Sequence, residues 1–571
     1  MIDYEKIDSA TGQNWFDIDP VLQAAIAREC PAEDLPWAQS KLSAIGNLAG
    51  GLVNRNADIV DRHPPELIRE DRWGGSVSEV VYDPRYVESS RALRTLGFHS
   101  NFGADAQRRG RPTPRAVIAG AYYMVSGADN GLTLNLGINP IVARIVGQYG
   151  PPTLRDMYVA GLSTEDPDAA IVGGLFLTER GGGSDLANTV QAQAQDAGDG
   201  LVEITGEKWF CSNADADVMV VMARSIPDAP VSLFLVPRHR EDGTLNIKVR
   251  KLKDKLGTRS CPTGEIEFDS SVGWPLRLQD AGATGLRDAM DVTNACRQGV
   301  AMMGLGTARR GLLESAIQAH HWKAKGRLLI DLPIIREQIV DLLVDVEAAT
   351  ALGFECNSDR YEPGHGVPRM LIPAAKSHLC RLGMSSAAQA LELHGGNGYS
   401  NDFGLARLLR DAQANPIWEG TEHILALDVL RSIHRENAHH DVLARIDDAL
   451  STAEANTPGW AVPELHAVRK ARSALAHRIT QIAESGPRTA EANAVRLSQL
   501  LCRTVMSALL FEQAARDDGS PRSTLVAVRH VRRHLTSDAS WTDRIAQELG
   551  RELLAHNDIN ERSAASAATA S

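Results

Sequence analysis

The feature that most constrains this 571-residue chain is a change of hydrophobic period between two helical stretches. From about Ala170 to Trp274, short apolar runs alternate with Gly, Pro, Asp and Asn breaks. They include Ile171-Val172, Leu175-Phe176-Leu177, Val218-Met219-Val220-Val221 and Ser232-Leu233-Phe234-Leu235-Val236. Runs this short, bounded by turn formers, read as strands. On either side apolar positions recur at helical spacing: Pro20 to Cys30, Trp37 to Asn54 and Thr113 to Ser126 before, Val292 to Lys323, Pro333 to Phe354, Met370 to Leu393 and Ile424 to Ile433 after. A turn-rich crossing falls at His63-Pro64-Pro65-Glu66-Leu67 and Asp71-Arg72-Trp73-Gly74-Gly75. The pattern predicts a mainly α protein with an inserted β-domain and long antiparallel helices after it.

The chain is too long for one ordinary core. Four parts are expected: an N-terminal helical domain with an extension (1–165), a β-domain (166–280), a helical bundle (281–437) and a further helical domain (438–571). Glu454 to Val462 is expected to be a linker, and the Ala/Ser-rich tail from Arg562 to Ser571 to be disordered. Hydrophobic residues at 43% and charged residues at 23% exclude a disordered or fibrous chain. No uninterrupted apolar run reaches the length needed to cross a bilayer, and Met1-Ile2-Asp3-Tyr4-Glu5-Lys6 lacks the order of a signal peptide. The seven cysteines form no C-x-x-C pair, so neither a metal site nor a disulfide framework is expected. These features predict a reduced, soluble, cytoplasmic protein without a membrane partner.

Four segments carry chemistry. Leu177-Thr178-Glu179-Arg180-Gly181-Gly182-Gly183-Ser184-Asp185 ends a strand-like run, and its glycines let backbone N–H groups curl toward an anion or a carbonyl-bearing ring. Gly206-Glu207-Lys208-Trp209-Phe210-Cys211-Ser212-Asn213 puts an aromatic and a hydroxyl two residues apart, on one face of a strand. Glu392-Leu393-His394-Gly395-Gly396-Asn397-Gly398-Tyr399 reads as a glycine cap ending a helix. Ile417-Trp418-Glu419-Gly420-Thr421 sets a carboxylate between a tryptophan and a glycine. A bulky apolar neighbour suits a proton-abstracting acid, and glycine admits close approach to the backbone. The plainer reading of Glu419 is a first-turn acid of the helix starting near Thr421.

Taken together, these segments resemble the acyl-CoA dehydrogenase family of flavoproteins. Within it, Asn14-Trp15-Phe16-Asp17, the His63–Leu67 stretch, Trp209-Phe210, Lys253 to Ser260 and Ile417–Gly420 resemble the AidB branch, named for bacterial adaptation to alkylating agents. The resemblance implies a helical N-domain, a β-barrel middle, a four-helix-bundle C-domain and an extra C-terminal helical domain. It implies FAD as cofactor, contacted by Leu177, Thr178, Gly183, Ser184, Phe210, Cys211 and Ser212. It adds Lys323, Glu392, Gly395, Gly396, Trp418, Gly420, Thr421 and His423 to the cofactor set, partly across a subunit boundary of a homotetramer. Glu419 would be the catalytic base, removing the α-proton of an acyl-CoA thioester while the β-hydride passes to the flavin. The base position used by one subfamily corresponds here to Cys296-Arg297 and is not filled by an acid.

Two departures stand out. Glu392 occupies a place where many relatives have Gln. The Trp322-Lys323-Ala324-Lys325-Gly326-Arg327 stretch lacks the usual Arg-x-x-Phe-Gly, and a lysine there is a point donor rather than a fork. In AidB-type proteins the C-terminal domain is associated with double-stranded DNA. Arg529, Arg532 and Arg533, with His530 and His534, are the corresponding candidates, and Arg469-Lys470-Ala471-Arg472 with Arg478 a second group. The net charge of −12 and the balance of acids and bases after Asn437 weigh toward a solvated helix face instead. Rival readings are a flavin-stabilised DNA-associated protein with vestigial activity and a flavin oxidase or monooxygenase. The electron acceptor is not legible in the sequence.

Overall fold

The structure is a computed structural model that describes residues 2–98, 100, 103–225, 230–276, 285–517, 519–536 and 544–569, with backbone only for 285–292. It falls into two compact units. One comprises residues 52–113 and 128–299, the other residues 1–51, 114–127 and 300–571.

The first unit holds the strands. β1 (Glu66–Glu70) and β2 (Ser76–Val81) form an antiparallel hairpin where the sequence suggests only turns. Asp71 closes it, its carboxylate accepting from the backbone N–H of Trp73 and Gly75 at 2.8 Å each. Seven strands follow: β3 (Gly173–Phe176), β4 (Gln193–Gly198), β5 (Leu201–Ser212), β6 (Val218–Arg224), β7 (Val231–Pro237), β8 (Lys248–Leu252) and β9 (Thr263–Pro275). β6 pairs antiparallel with β7, β7 with β9, β9 with β5 and β5 with β4. One parallel pairing of Gln193 with Arg224 returns β4 to β6 and closes the circuit into a barrel.

β6 and β7 explain why this region reads as continuous apolar runs. Val218, Val220 and Met222 of β6, with Val231, Leu233 and Leu235 of β7, face a core that includes Val142, Val146, Leu154 and Leu162 of the helices Asn130–Tyr149 and Pro152–Ser163. Met219, Val221 and Ala223, with Phe234 and Val236, face the barrel interior with Ile204, Val249, Ile266 and Phe268. A strand buried on both faces has no polar alternation to display.

The second unit is helical. Its central members are Pro333–Cys356, Gly366–Leu393, Glu422–Glu436 and Pro487–Arg516. The last of these is long and apolar enough to cross a membrane by length and composition, although charged and polar residues interrupt its apolar run. It is instead a core helix, with 72% of its apolar window buried inside the protein.

The helix Pro333–Cys356 carries a row of acids that receives the arginines of the C-terminal helices. Asp341 takes Arg529 at 2.6 Å and Arg533 at 3.3 Å. Asp345 takes Arg533 at 3.3 Å and His534 at 2.7 Å. Glu347 takes Arg522 at 2.5 Å, and Glu355 takes Arg445 at 2.8 Å. Two local expectations are corrected here. Glu454 ends the helix His439–Glu454, and a short turn leads to Val462–Glu484, so no linker separates them. The Ala-rich tail forms the helix Glu561–Thr569, whose Ala564, Ala567 and Ala568 are buried and whose Glu561 accepts from Trp460 Nε1 at 2.7 Å. Small apolar side chains at helical spacing make a dockable face, whatever their weak hydrophobicity in composition terms.

Two consequences are measurable. Arg529 is 2% exposed. Arg529→Ala strips Asp341 of its 2.6 Å partner and leaves it only Arg533 at 3.3 Å, so a loss of roughly 1–3 kcal/mol in chemical denaturation is expected. A change below about 0.5 kcal/mol would mean the pairing is superficial. Burial, with His534 nearby, also drives the pKa of His530 well below the usual histidine range. The unfolded chain therefore binds the extra proton first, and stability is full above about pH 6.5 and declines below it. Melting temperature should fall between pH 7 and 5.5, by a slope of up to about 1.4 kcal/mol per pH unit for this histidine, and His530→Gln should flatten that slope.

Candidate functional site

Each unit carries one set of the residues singled out in the sequence. In the β-containing unit, Thr178, Gly183, Ser184, Phe210 and Ser212 lie around the end of β3 and the end of β5. The backbone N–H of Trp209 donates to Thr178 O at 2.9 Å, tying the two segments together. Lys208 fixes the arrangement from beneath. Its side chain is fully buried, and Nζ reaches Leu177 O at 3.2 Å and Glu179 Oε1 at 2.6 Å. Burial pushes the Lys208 ammonium pKa down, against the pull of Glu179. Glu179 in turn accepts from the backbone N–H of Gln191 and Ala192 at 2.7 and 3.0 Å. The glycine loop is thus clamped at its base while its rim stays open.

That rim has two telling features. A Cβ at Gly183 would stand 2.6 Å from Thr178 Oγ1, so the loop folds back on the strand only with glycine there. Phe210 is 60% exposed at the end of β5, with Lys253 Nζ 5.0 Å from its ring. Trp209 beside it is flanked by cations, with Lys253 Nζ 3.2 Å and Arg180 4.8 Å from its ring.

Cys211 departs from the expectation. Strand alternation turns its side chain into the barrel core, fully buried, and burial raises its thiol pKa far above the usual range. It is not on the face that carries Phe210 and Ser212. In the basic run from Lys253 to Ser260, Lys255 Nζ ties down the carbonyls of Thr258 and Cys261 at 2.7 Å each.

In the helical unit, Glu419 is not in the first turn of a helix. The helix starts at Glu422, with Thr421 at its N-cap, and the first-turn acid is Glu422. Glu419 instead adopts a left-handed backbone, φ 57°, followed by Gly420 at φ 103°. A left-handed glutamate is uncommon, and something must hold it. Lys376 supplies part of the hold: fully buried in the helix Gly366–Leu393, its Nζ donates to Gly420 O at 2.7 Å. Sequence reading passed over Lys376, although a lone lysine inside the apolar run Met370 to Leu379 was a visible signal. Trp418 Nε1 is buried and has no hydrogen-bond partner. Thr421 and His423 are exposed beside it.

The turn after Leu393 is built as a glycine cap, with Gly395 at φ 58° and its N–H on Glu392 O at 3.0 Å. Glu392 is exposed on the last helical turn. Gly398 packs so closely that a Cβ would meet Leu391 O at 2.1 Å. Lys323 is exposed on a two-residue hairpin ladder whose turn residues Lys325 and Gly326 have φ of 52° and 77°. Cys296 packs against the helix-and-sheet core, and Arg297 bonds Asn294 at 3.0 Å.

The arginines that the AidB resemblance offers as DNA contacts do not form a free stripe. Arg529 and Arg533 engage Asp341 and Asp345, and Arg532 engages Glu464 at 2.7 Å and Ala568 O at 2.7 Å. In the second group, Arg469 pairs with Glu454, and Arg472 with Asp447 at 2.5 Å. Acids from the helix Pro333–Cys356, together with Glu464, Glu454 and Asp447, match these arginines, so they are paired rather than displayed.

Comparison with known proteins accounts for these segments. Residues 174–271 match the acyl-CoA dehydrogenase middle domain, residues 283–434 the acyl-CoA dehydrogenase C-terminal domain, and residues 6–137 the adaptive response protein AidB N-terminal domain. Residues 443–554 match the acyl-CoA dehydrogenase 11 C-terminal domain-like family. AidB of Escherichia coli K12 is 30% identical over 442 residues, 76% of this chain and 80% of AidB. The chain belongs to the acyl-CoA dehydrogenase family, in its AidB-like branch.

Solved structures agree on the fold of this AidB-like protein. Caenorhabditis elegans ACDH-11 in complex with C11-CoA superposes with a TM-score of 0.84 at 24% identity, covering 93% of each chain. An acyl-CoA dehydrogenase from Bacillus anthracis complexed with FAD superposes at 0.67 with 17% identity, covering 85% of this chain and 89% of that one.

Gly398→Ala is expected to destabilise the AidB-like chain by about 1–3 kcal/mol, because only backbone can yield. Gly181→Ala, where the added Cβ meets Thr189 at an ordinary 3.5 Å, should change the denaturation midpoint little. Equal effects of the two would refute the close-packing account of Gly398.

Proposed function

We propose that this protein oxidises an acyl thioester at a CH–CH bond, with Glu419 as the base that takes the α-proton. Family membership supports an FAD-dependent oxidoreductase of this class. The observation that carries the role of Glu419 is its backbone. A glutamate outside any helix, held in a left-handed conformation next to a glycine whose carbonyl is gripped by a buried lysine, is positioned at an energetic cost. A merely helix-stabilising acid needs no such hold.

The residues present fit FAD. Phe210 offers a largely exposed aromatic ring, the Gly183 fold-back leaves the loop rim open, and Trp418 Nε1 is a buried donor without an acceptor. Leu177, Thr178, Gly183, Ser184, Phe210 and Ser212 would hold the cofactor from the β-domain. In the helical unit, family resemblance assigns a cofactor role to Trp418, Gly420, Thr421 and His423, and one toward a neighbouring subunit to Gly395 and Gly396. FAD, when bound, accepts the β-hydride. Lys376 keeps Gly420, and through it Glu419, in register for the proton it takes. Trp418 adds apolar bulk immediately before the acid, which disfavours water there.

An acyl-CoA substrate is supported by the C11-CoA complex of the Caenorhabditis elegans relative. A homotetramer is supported by the exposed Tyr399 and Phe403 beside the glycine turn, large apolar groups that a second copy would cover.

The test is anaerobic titration of the flavin-loaded protein with straight and branched acyl-CoAs. Flavin bleaching is expected in the parent protein. Glu419→Gln should keep its flavin and lose the reduction rate by roughly 10²–10⁴-fold. Reduction of Glu419→Gln at the parental rate would remove Glu419 as base. A bound flavin that no acyl-CoA reduces would remove the substrate class.

A further inference from the structure

A cavity of about 110 Å³ in the helical unit is lined by three helices and belongs to none of the segments above. His378 and Arg381 reach it from Gly366–Leu393, Ser498, Gln499 and Arg503 from Pro487–Arg516, and Glu422 from Glu422–Glu436. On the first two helices the lining residues recur at three- and four-residue spacing, so each presents one face to the space.

The lining is rich in donors and short of acceptors. Ser498 is 7% exposed, and its Oγ has no hydrogen-bond partner. Arg503 lines the space without a hydrogen bond or ion pair among the described residues. Arg381 has one weak partner, Glu422 at 3.2 Å, and is itself half-exposed, which leaves the cavity open to solvent. Burial, with His534 and Arg503 nearby and against the pull of Asp345, holds the pKa of His378 down at about 4, so its ring is a neutral donor at pH 7.

Buried polar groups are normally satisfied, and an unsatisfied one marks a missing partner. The space exceeds that of a single water, which occupies roughly 30 Å³ of liquid. Water would satisfy the serine, but it leaves the guanidinium charge of Arg503 without a counter-ion. A planar carboxylate would occupy one guanidinium fork. Two arginines, a hydroxyl and an imidazole, shared between two helices, match an ion with oxygens pointing several ways.

We propose that this cavity is a binding site for a phosphate-type oxyanion, held by Arg381, Arg503, Ser498 and His378. The oxyanion takes Arg381 from Glu422, the residue that opens the helix directly after Glu419-Gly420-Thr421. Occupancy therefore reaches the Glu419 segment through Glu422, a consequence that rests on the function proposed above; the binding site itself does not.

Calorimetric titration of the full-length, flavin-loaded protein with inorganic phosphate, against chloride at matched ionic strength, tests this. One saturable phosphate per chain is expected, and none for chloride. Arg503→Gln should weaken it by about tenfold or more, with far-UV circular dichroism and the flavin spectrum unchanged. Ser498→Ala should weaken it several-fold and serves where Arg503→Gln folds poorly. A parallel titration with AMP and coenzyme A identifies the source. Tighter binding than phosphate names a phosphoester tip entering the cavity, and binding of phosphate alone names the free ion. Absence of saturable phosphate binding, or equal affinity in parent and both variants, overturns the site. Because the readout is binding heat, failure here leaves the acyl-CoA reading untouched, and the reverse holds.

Discussion

The row of carboxylates on Pro333–Cys356 is what the helical unit hangs on. Asp341, Asp345 and Glu347 each accept a cation from Pro521–His534, and Glu355 accepts Arg445 from His439–Glu454. Arg445 extends the chain of charge to Glu512 at 2.6 Å, so the acids of two long helices share one guanidinium. Buried pairs of this kind add little net stability over apolar packing, but breaking one strands a charge. Their effect is therefore on register: the C-terminal helices have one way to sit on the bundle in which all these charges are matched.

The same logic operates on a smaller scale at the two chemical segments. Lys208 under the glycine loop and Lys376 under the Glu419 turn are both fully buried, and both reach a backbone carbonyl of the segment they support. A lysine is a single donor on a long stem, suited to holding one carbonyl from a distance. In each case the supported segment, the glycine loop or the Glu419 turn, is irregular backbone, where no ladder of hydrogen bonds fixes it. The buried ammonium substitutes for that ladder.

Much of this was legible in the residues. The change of period located the barrel, and the short runs of β6 and β7 were readable because both faces are buried. The glycine turn at 395 and the motif pair at 178–185 and 206–213 stood out as segments. What escaped was direction. Strand alternation sends Cys211 inward while Phe210 and Ser212 face the other way, and periodicity alone does not tell which face is the core when both are apolar. The arginines of Pro521–His534 read equally well as a displayed stripe or as internal partners, because their acids lie about 190 residues earlier in sequence. The tail failed as a reading for a related reason: Ala564, Ala567 and Ala568 matter through the surface they dock on, which composition does not contain.

β6 and β7 also limit how this chain can vary. Each divides its residues between two separate cores, odd positions to one and even positions to the other. Adding or removing a single residue inside either strand would exchange the two sets, sending side chains shaped for the helix-facing core into the barrel and the reverse. In most sheets such a slip exposes apolar groups and is rejected by water. Here both destinations are dry, and the rejection comes from shape alone. Length differences among relatives should therefore gather in the connections and leave these two strands at constant length.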